Sequence, residues 1–196
     1  MSTLKKNITP KRLAMLLSTN EKIFHINDLA NLWKIDNKNT LRVTLKRYVQ
    51  DELLHRIYRG FYSVVPINEL NPVLIGAKAI HEFCYLTMET VLYQEGFIGQ
   101  NIDYYTFVSE KSLRFSIGKH NFISRQLKKD FLYNPEGVYL KNDVQIATPE
   151  RAVCDLLYFN PKYHLDRPID WEKIKKMQKI LGYPLTPKRY VTAKTN

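Results

Sequence analysis

Apolar residues recur at helical spacing in two short segments that lie close together near the N-terminus. In residues 28–33, Leu29, Leu32 and Trp33 fall on one side of a helix at the i, i+3, i+4 spacing. Asn27 stands directly before this segment and is the expected N-cap. A turn through residues 34–36 then separates this helix from the next one, which Asp36 or Asn37 is expected to cap.

The second helix is amphipathic, and its polar face is unusually rich in groups that bind DNA. Its inner face is expected to consist of Leu41, Leu45, Tyr48, Val49 and Glu52, and it is apolar apart from Glu52. Together with Arg42, the residues expected to point outward are Asn39, Thr40, Val43, Lys46, Arg47 and Gln50. This face therefore combines amide, hydroxyl and methyl groups with cations.

Residues 54–64 follow the second helix and have the pattern of a β-hairpin. Two β-prone runs flank Arg59 and Gly60, and glycine supplies the positive φ that a tight turn needs. Arg56 and Arg59 are expected to lie on this hairpin beside DNA phosphates. Two helices followed by a hairpin give the arrangement of a winged helix-turn-helix.

The outward face has the chemistry required in a DNA major groove. Asparagine pairs with adenine and arginine with guanine, while the methyl groups of Thr40 and Val43 can contact thymine. Lys46, Arg56 and Arg59 are expected mainly to hold phosphates. The alternative interpretation is a solvated amphipathic helix followed by an ordinary hairpin, and composition and element order together favour double-stranded DNA binding.

The rest of the chain predicts a second domain and an α+β fold class. A first helix over residues 10–17, with Leu13, Leu16 and Leu17 inward, completes an N-terminal domain of residues 1–66, and Pro66 and Pro72 mark the boundary. Residues 67–196 are expected to form a small, mostly antiparallel sheet with packed helices. Its helices are predicted over 72–83, over 88–94 with Thr87 as N-cap and Leu92 and Tyr93 inward, from Pro149 to Phe159 with Thr148 as N-cap, and over 171–181. Its strands are predicted over 104–109, 113–117, 121–124, 138–140 and 144–147, and residues 188–196 as a mobile tail.

Charge is concentrated at the two ends of the chain. Residues 1–66 contain 12 Lys+Arg and 5 Asp+Glu, residues 67–146 contain 8 and 9, and residues 147–196 contain 10 and 5, so the net charges are +7, −1 and +5. The positive field therefore coincides with the predicted DNA-binding domain. Such a field attracts polyanions and gives an affinity that falls steeply with salt.

The two cysteines and the lack of long apolar stretches indicate the cysteine redox state and the cellular location to expect. Cys84 and Cys154 lie far apart in apolar surroundings and are expected to be reduced core thiols. The N-terminal segment has no apolar export region, and no apolar stretch is long enough to span a membrane. A cytoplasmic protein is therefore expected.

The sequence shows no clear grouping of catalytic or metal-binding residues, so we expect no enzymatic activity, no metal site and no cofactor. The five histidines are scattered, and His81 near Cys84 has a spacing that helix packing often produces. A DNA-targeted nuclease is the principal enzymatic alternative. It would rest on Asp103, Glu110 and Lys111, which flank the predicted strand over 104–109, but solvated loop charges explain these residues better.

Two further features of the second domain bear on its role. Arg151 and Asp155 have the spacing of an exposed i, i+4 ion pair, which contributes a few tenths of a kcal/mol to a helix. The thirteen tyrosines are expected mostly to be half-buried sheet residues, but tyrosine is also favoured at protein interfaces. A second interpretation is therefore that this domain has a face that binds a partner or a second copy of the chain.

Three segments resemble the AbiEi-type antitoxins of type IV toxin–antitoxin systems, which act in abortive infection. They are LLHRIYRGFYSV at the end of the N-terminal domain, the helices through Tyr93-Gln94-Glu95-Gly96, and above all IATPERAVCDLL, residues 146–157. The third is similar to the family segment in which a strand leads into a helix. The likeness covers most of residues 10–160, whereas the chain after Phe159 matches no family motif.

The resemblance implies a cytoplasmic, non-catalytic transcriptional repressor of its own promoter. It also implies an opposing nucleotidyltransferase-like toxin, and it leaves open whether the two proteins bind each other directly. A nuclease-type enzyme and a plain ligand-responsive regulator are the other hypotheses. A nucleotidyltransferase reading frame directly downstream would separate the first hypothesis from the other two.

Overall fold

The computed structural model describes residues 3–187 of the chain, with side chains described from residue 10 onward. The chain divides into two compact units, Met1–Asn71 and Pro72–Asn196. The boundary therefore falls after Asn71, whereas the sequence predicted a boundary after residue 66. Both units mix helices with strands, so the protein is of the α+β type. The predicted tail over residues 188–196 lies outside the described residues.

The first unit contains three helices and a three-stranded antiparallel sheet. Its elements are, in order, α1 (Thr3–Leu17), β1 (Ile23–His25), α2 (Ile26–Trp33), α3 (Lys38–Gln50), β2 (His55–Tyr58) and β3 (Phe61–Ser63). The strand order in the sheet is β1-β3-β2. A short 3-10 turn, Ile67–Glu69, precedes the boundary.

The starts of the first two helices differ from the sequence prediction. α2 begins at Ile26 with His25 as its N-cap, because the His25 side chain accepts from the backbone N–H of Asn27 at 3.3 Å and Asp28 accepts from that of His25 at 2.9 Å. Asn27 is therefore not the cap. α1 begins at Thr3 and contains Pro10 in its interior, although proline there removes one backbone hydrogen bond and crowds the preceding turn.

Helices α1 to α3 enclose the core of the first unit. Its fully buried residues include Leu16, Leu29, Leu45, Tyr48 and Leu54. Two residues assigned to this core from the sequence are exposed. Leu17 is the last residue of α1 and is 66% exposed. Glu52 lies beyond the end of α3 with a φ of 55°, where the chain has left the helix, and Thr44 is buried on the inner face instead.

The predicted hairpin is confirmed. β2 and β3 pair antiparallel, and Tyr58 lies opposite Phe61, so Arg59 and Gly60 form a two-residue turn. Gly60 has a φ of 75°, a conformation that side-chain-bearing residues rarely adopt. The register shifts between Arg56 and Tyr58, which marks a bulge in β2.

The second unit is built on a six-stranded mixed sheet. Its elements are α4 (Pro72–Ile80), β4 (Tyr85–Leu86), α5 (Met88–Gln94), β5 (Tyr104–Ser109), β6 (Leu113–Ile117), β7 (His120–Gln126), α6 (Lys129–Leu132), β8 (Val138–Lys141), β9 (Val144–Ala147), α7 (Pro149–Phe159) and α8 (Trp171–Leu181). The strand order is β6-β7-β5-β4-β9-β8.

The sheet has one strand more than predicted, and two of its pairings are parallel. β4 is only two residues long and gives no recognisable sequence period. β5 pairs with β7 and β4 pairs with β9 in parallel, while the other neighbours are antiparallel. The two parallel pairings join strands that are not consecutive in sequence, so periodicity within a strand could not indicate them.

The first helices of the second unit differ in detail from the prediction. α4 ends at Ile80 because His81 adopts a φ of 58°, so the helix does not reach Phe83. Thr87 occupies the N-cap position of α5, but its side chain makes no capping hydrogen bond. Leu92 is buried as predicted, whereas Tyr93 is 40% exposed.

Helices cover the sheet closely, and none of those described is long and apolar enough to cross a membrane. Four consecutive residues of β5, from Thr106 to Ser109, are buried, so both faces of the sheet are covered at its centre. α4 packs against this region at Gly76, where an added Cβ would lie only 2.5 Å from the Phe122 ring. Only glycine fits this contact.

Helix α7 agrees with its sequence prediction. The Thr148 hydroxyl accepts from the backbone N–H of Arg151, Pro149 occupies the first helical turn, and the helix ends at Phe159. The four apolar residues expected to pack inward, Ala152, Val153, Leu156 and Leu157, are all buried. α8 also has the predicted bounds.

Candidate nucleic-acid interface

Helix α3 is oriented by a cap at its start and by three buried side chains along its inner face. The Asn37 side chain accepts from the backbone N–H groups of Asn39 at 2.9 Å and Thr40 at 3.0 Å. Leu41, Leu45 and Tyr48 lie on the inner side and are almost completely buried. The opposite side of α3 consequently faces solvent.

Every residue that the sequence assigned to base or phosphate contacts is on the surface. On α3 these exposed residues are Asn39, Thr40, Arg42, Val43, Lys46 and Arg47, and on the hairpin they are Arg56 and Arg59. Val43 is 70% exposed, which is a large fraction for an apolar side chain in the middle of a helix. The structure therefore brings six of the eight residues onto one helix, and we call their shared surface the α3 face.

The cations of the α3 face have no acidic partners among the residues that the structure describes. Within that part of the chain, no salt bridge or side-chain hydrogen bond involves the guanidinium or ammonium groups of Arg42, Lys46 and Arg47. The Arg47 guanidinium lies over the Tyr48 ring, 5.8 Å from its centroid, a contact that leaves its N–H groups available. These cationic groups can therefore bind an external anion without breaking an ion pair.

The hairpin is attached directly to the end of α3. Residues 51–54 are the whole connection, and the backbone N–H groups of Leu53 and Leu54 both donate to the carbonyl oxygen of Tyr48, at 2.9 and 3.1 Å. Leu54 is fully buried, so this connection is anchored in the core. Arg56 on β2 and Arg59 in the turn extend from this anchored base into solvent.

Two cations near the start of α3 were not assigned from the sequence. Lys34 and Lys38 help to line a cleft of about 610 Å³ between α2 and α3, together with Arg42. Lys34 ends α2 with a φ of 52°, which is the left-handed conformation of a helix C-cap. The sequence signal was available, since a lysine in the turn between two helices lies beside the N-terminus of the second helix.

The largest departure from the sequence analysis concerns Arg151 and Asp155 on α7. They were expected to form an exposed pair, but both side chains are fully buried, and Arg151 Nε lies 3.1 Å from Asp155 Oδ1. All five N–H groups of the guanidinium have acceptors. The remaining acceptors are the carbonyl oxygens of Asn134, Glu136 and Phe131 and the hydroxyl of Tyr85, at 2.6 to 3.1 Å.

Asp155 is satisfied to the same degree. It accepts from the Thr87 hydroxyl at 2.7 Å, from the Tyr183 hydroxyl at 2.6 Å, and from Tyr85. Burial raises the pKa of the Asp155 carboxyl, against the opposing effects of Arg151 and the hydroxyl donors. Burial acts to lower the pKa of Arg151, but the effects of Asp155, Tyr85 and Tyr183 together outweigh it, and the net shift is upward.

The Arg151–Asp155 pair is therefore a structural centre that joins five segments of the second unit. These are α7 itself, the segment with Tyr85 and Thr87, α6 with Phe131, the loop with Asn134 and Glu136, and the segment after α8 with Tyr183. A sequence signal for it existed. The residues between and beside the pair on α7 are nearly all apolar, and a helix that is apolar on all sides is buried on all sides. The pair also explains why the Thr87 side chain does not cap α5, because its hydroxyl donates to Asp155 instead.

The residues considered for a nuclease are not brought together. Asp103 and Glu110 lie at opposite ends of β5, about 20 Å apart for a strand of this length. Glu110 pairs with Lys129 at 3.0 Å, and Lys111 pairs with Glu82 at 3.2 Å. Across the described residues, no group of three or more His, Cys, Asp or Glu side chains is arranged to hold a metal ion.

The cysteines are buried free thiols, as predicted. Burial, reinforced by the negative charge of Glu82, raises the pKa of the Cys84 thiol to about 12. Its Sγ lies 3.8 Å from the carbonyl oxygen of Ala77, within the fold of the second unit. Such a thiol stays protonated at neutral pH and is a poor nucleophile.

No model of a known protein family matches the chain, and a search of curated proteins finds no match either.

Proposed function

We propose that the first unit is a winged helix-turn-helix domain that binds double-stranded DNA, and that the chain is a transcriptional regulator. The observation that carries this proposal is the α3 face, in which exposed Asn39, Val43 and Arg47 share one surface with cations that have no acidic partner among the described residues. A helix with such a surface suits the major groove of DNA.

The order of elements supports the same proposal. Helix, strand, helix, helix and hairpin follow one another in the first unit, and the hairpin is joined to the end of α3 by four residues. With α3 in the major groove, Arg56 and Arg59 are placed to contact the sugar-phosphate backbone as the wing. Lys34 and Lys38 add phosphate contacts at the start of the same helix.

The division of roles follows from side-chain chemistry. Asn39, Thr40, Val43 and Arg47 present the groups that distinguish one base pair from another. Arg42, Lys46, Arg56 and Arg59 present charge, which fixes the register of the protein on DNA without reading sequence. We therefore propose that specificity resides in the first group and salt-dependent affinity in both.

The biological role that we propose rests on the resemblance of residues 53–64, 93–96 and 146–157 to AbiEi-type antitoxins. In that role the chain represses its own promoter and opposes a nucleotidyltransferase-like toxin. The second unit would then provide the antitoxin function without catalysis. The burial of Arg151 and Asp155 is compatible with this, since the most charged part of the resembling segment holds the fold together.

Selection from a pool of random double-stranded DNA tests the regulatory function. The full chain should enrich a defined sequence motif, and the Asn39→Ala variant should enrich a motif that is degenerate at one adenine-containing position. Failure of the wild-type chain to enrich any motif, while it still retains DNA at low salt, would reduce the function to non-specific binding and refute a sequence-specific regulator.

Plasmid cleavage tests the proposed absence of catalysis. Incubation of the full chain with supercoiled plasmid in Mg²⁺ or Mn²⁺ should leave the plasmid intact. Cleavage that disappears with Glu110→Ala or Asp103→Ala would instead identify the chain as a nuclease.

A further inference from the structure

On the inner side of α3, the Tyr48 ring is fixed in place by the core of the first unit. The ring centroids of Tyr48 and Trp33 lie 5.2 Å apart, and both side chains are almost completely buried. The Trp33 indole Nε1 donates to the backbone carbonyl oxygen of Arg12 at 3.3 Å, which ties the indole to α1. The Tyr48 ring is therefore part of a rigid aromatic pair that connects α1, α2 and α3.

The hydroxyl of Tyr48 adds nothing to this arrangement. It is buried and has no hydrogen-bond partner within the described part of the chain. An unsatisfied buried hydroxyl destabilises a core, and phenylalanine would pack the same ring without that penalty. Any role of Tyr48 beyond packing must therefore come from its ring.

Arg47 reaches from the exposed side of α3 onto this ring. Its guanidinium carbon lies 5.8 Å from the Tyr48 ring centroid, so the ring attracts the cation electrostatically. The contact leaves the N–H groups of Arg47 without an acceptor among the residues that the structure describes. Arg59, in the turn of the hairpin, has no ring contact of this kind within the same residues. Arg47 is thus the DNA-facing arginine that the fold itself orients.

We propose that Tyr48 is a positioning residue that holds Arg47 in the orientation in which it reads guanine, a role that rests on the DNA binding proposed above. Bidentate contact with O6 and N7 of guanine requires the planar guanidinium at a fixed angle. Ordering a long side chain opposes binding, and the Tyr48 ring orders this one before DNA arrives. Tyr48 therefore determines sequence specificity although it is buried and does not touch DNA.

Competition between two duplexes tests the proposal. One duplex carries the motif that the wild-type chain selects, and the other lacks the guanine whose selection is lost in R47A. Y48L should reduce the discrimination between them by about two- to tenfold, whereas the matched control Y48F keeps the ring and should discriminate like wild type. Equal discrimination by wild type and Y48L, or an equal loss in Y48F, would overturn the positioning role alone. A wild-type chain that selects no motif would refute the proposed function together with this role.

A double-mutant cycle distinguishes positioning from a general defect in folding. In an R47A background, Y48L should cause no further loss of discrimination, because the ring has no guanidinium left to orient. In an R59A background, Y48L should cause its full loss. An equal loss in both backgrounds would show that Tyr48 acts through the stability of the first unit and would overturn the assignment.

Nitrogen-15 relaxation of the arginine Nε–H groups tests the same role in the wild-type full chain without DNA and without replacing Tyr48. On the picosecond to nanosecond timescale, Arg47 should have a higher order parameter than Arg59. The order parameter of Arg47 should stay high in Y48F. An Arg47 side chain as disordered as that of Arg59 would contradict the proposal, whatever the stability of the Tyr48 variants.

Discussion

Helices α3 and α7 each carry two charged residues one turn apart, but these residues have opposite environments. α3 places Arg42 and Lys46 one turn apart on a solvent-exposed surface, while α7 places Arg151 and Asp155 one turn apart in the interior. Arg151 has all five of its N–H groups satisfied by its own chain. The α3 cations have no such partners within the described residues.

The difference shows how the role of a cation depends on where its donors are satisfied. A guanidinium whose donors are all used inside the fold stabilises the protein and has nothing left for a ligand. Cations that are satisfied only by water are available to phosphate groups, and they release counterions from DNA when they bind. Removal of one partner of the pair on α7 should therefore destabilise the second unit, whereas loss of charge on α3 should weaken DNA binding.

The largest effect is expected for Asp155→Ala, which leaves Arg151 as a buried charge without its ionic partner. Breaking a buried pair in this way costs about 3–5 kcal/mol of stability. Urea unfolding of W33F chain, in which Trp171 reports on the second unit, measures this cost. The matched control on α3 is Arg47→Ala, followed through Trp33 in W171F chain, which should change the free energy of unfolding of the first unit by less than about 0.5 kcal/mol.

The paired replacement R151M/D155L sharpens the same comparison. It removes both charges and leaves apolar groups of similar size, so it should cost less than Asp155→Ala alone. An Asp155→Ala variant as stable as wild type would show that the pair contributes nothing to the second unit, in contradiction to its full burial.

Leu156→Ala should have the next largest effect, and it acts on the second unit alone. Leu156 is 1% exposed on α7, so truncation leaves a cavity that costs about 2–5 kcal/mol. The two units fold around separate cores, and DNA binding by the first unit should survive. Mobility shifts at a temperature where the second unit is unfolded check this, and any toxin protection in cells should be lost. Protection that persists would show that repression alone accounts for the antitoxin role.

Much of this comparison could be predicted from the sequence because its determinants are local. The spacing of Leu41, Leu45 and Tyr48 defined which side of α3 is exposed, and Gly60 marked the turn of the hairpin. The cap and apolar stripe of α7 were equally readable, since Thr148 and Pro149 stand at its start.

The role of Arg151 and Asp155 was wrongly predicted because their partners are distant in sequence. Tyr85 and Thr87 precede α7 by more than sixty residues, and Tyr183 follows it. An i, i+4 pair of opposite charges is most often exposed, and only the packing of β4 and the C-terminal segment makes this one internal. Parallel strand pairing was missed for the same reason, since β5 with β7 and β4 with β9 join non-consecutive strands.

A smaller effect is expected when base reading is separated from phosphate contact on the first unit. Arg47→Ala should lose about 1–3 kcal/mol on the selected DNA site and relax its sequence preference. Arg59→Ala should weaken binding to all DNA alike, because the turn of the hairpin holds phosphate. Competition binding with matched and mismatched duplexes separates the two. Equal losses on specific and non-specific DNA for both variants would remove the distinction between the α3 face and the hairpin.

The two helix caps should give the smallest effects and should differ in their consequence. Asn37→Ala and Thr148→Ala each remove a side-chain acceptor at a helix start and should cost about 1 kcal/mol. Only Asn37→Ala should also weaken DNA binding, because it loosens the first turn of α3. Thermal unfolding and mobility shifts on both variants measure this, and reduced DNA affinity for Thr148→Ala would count against independent roles for the units.

The salt dependence of DNA affinity tests most directly whether the α3 face holds DNA. Fluorescence anisotropy of one labelled duplex would be followed over a range of salt concentration with the full chain, with R42A/K46A/R47A, and with K173A/K176A/K179A on α8. Both variants lose three exposed charges from a helix. The α3 variant should lower the slope of log affinity against log salt by about 2–3, because each phosphate contact contributes about 0.9. The α8 variant should keep the wild-type slope, whereas equal changes in both slopes would show that the bound DNA follows total charge and that the α3 face has no special role.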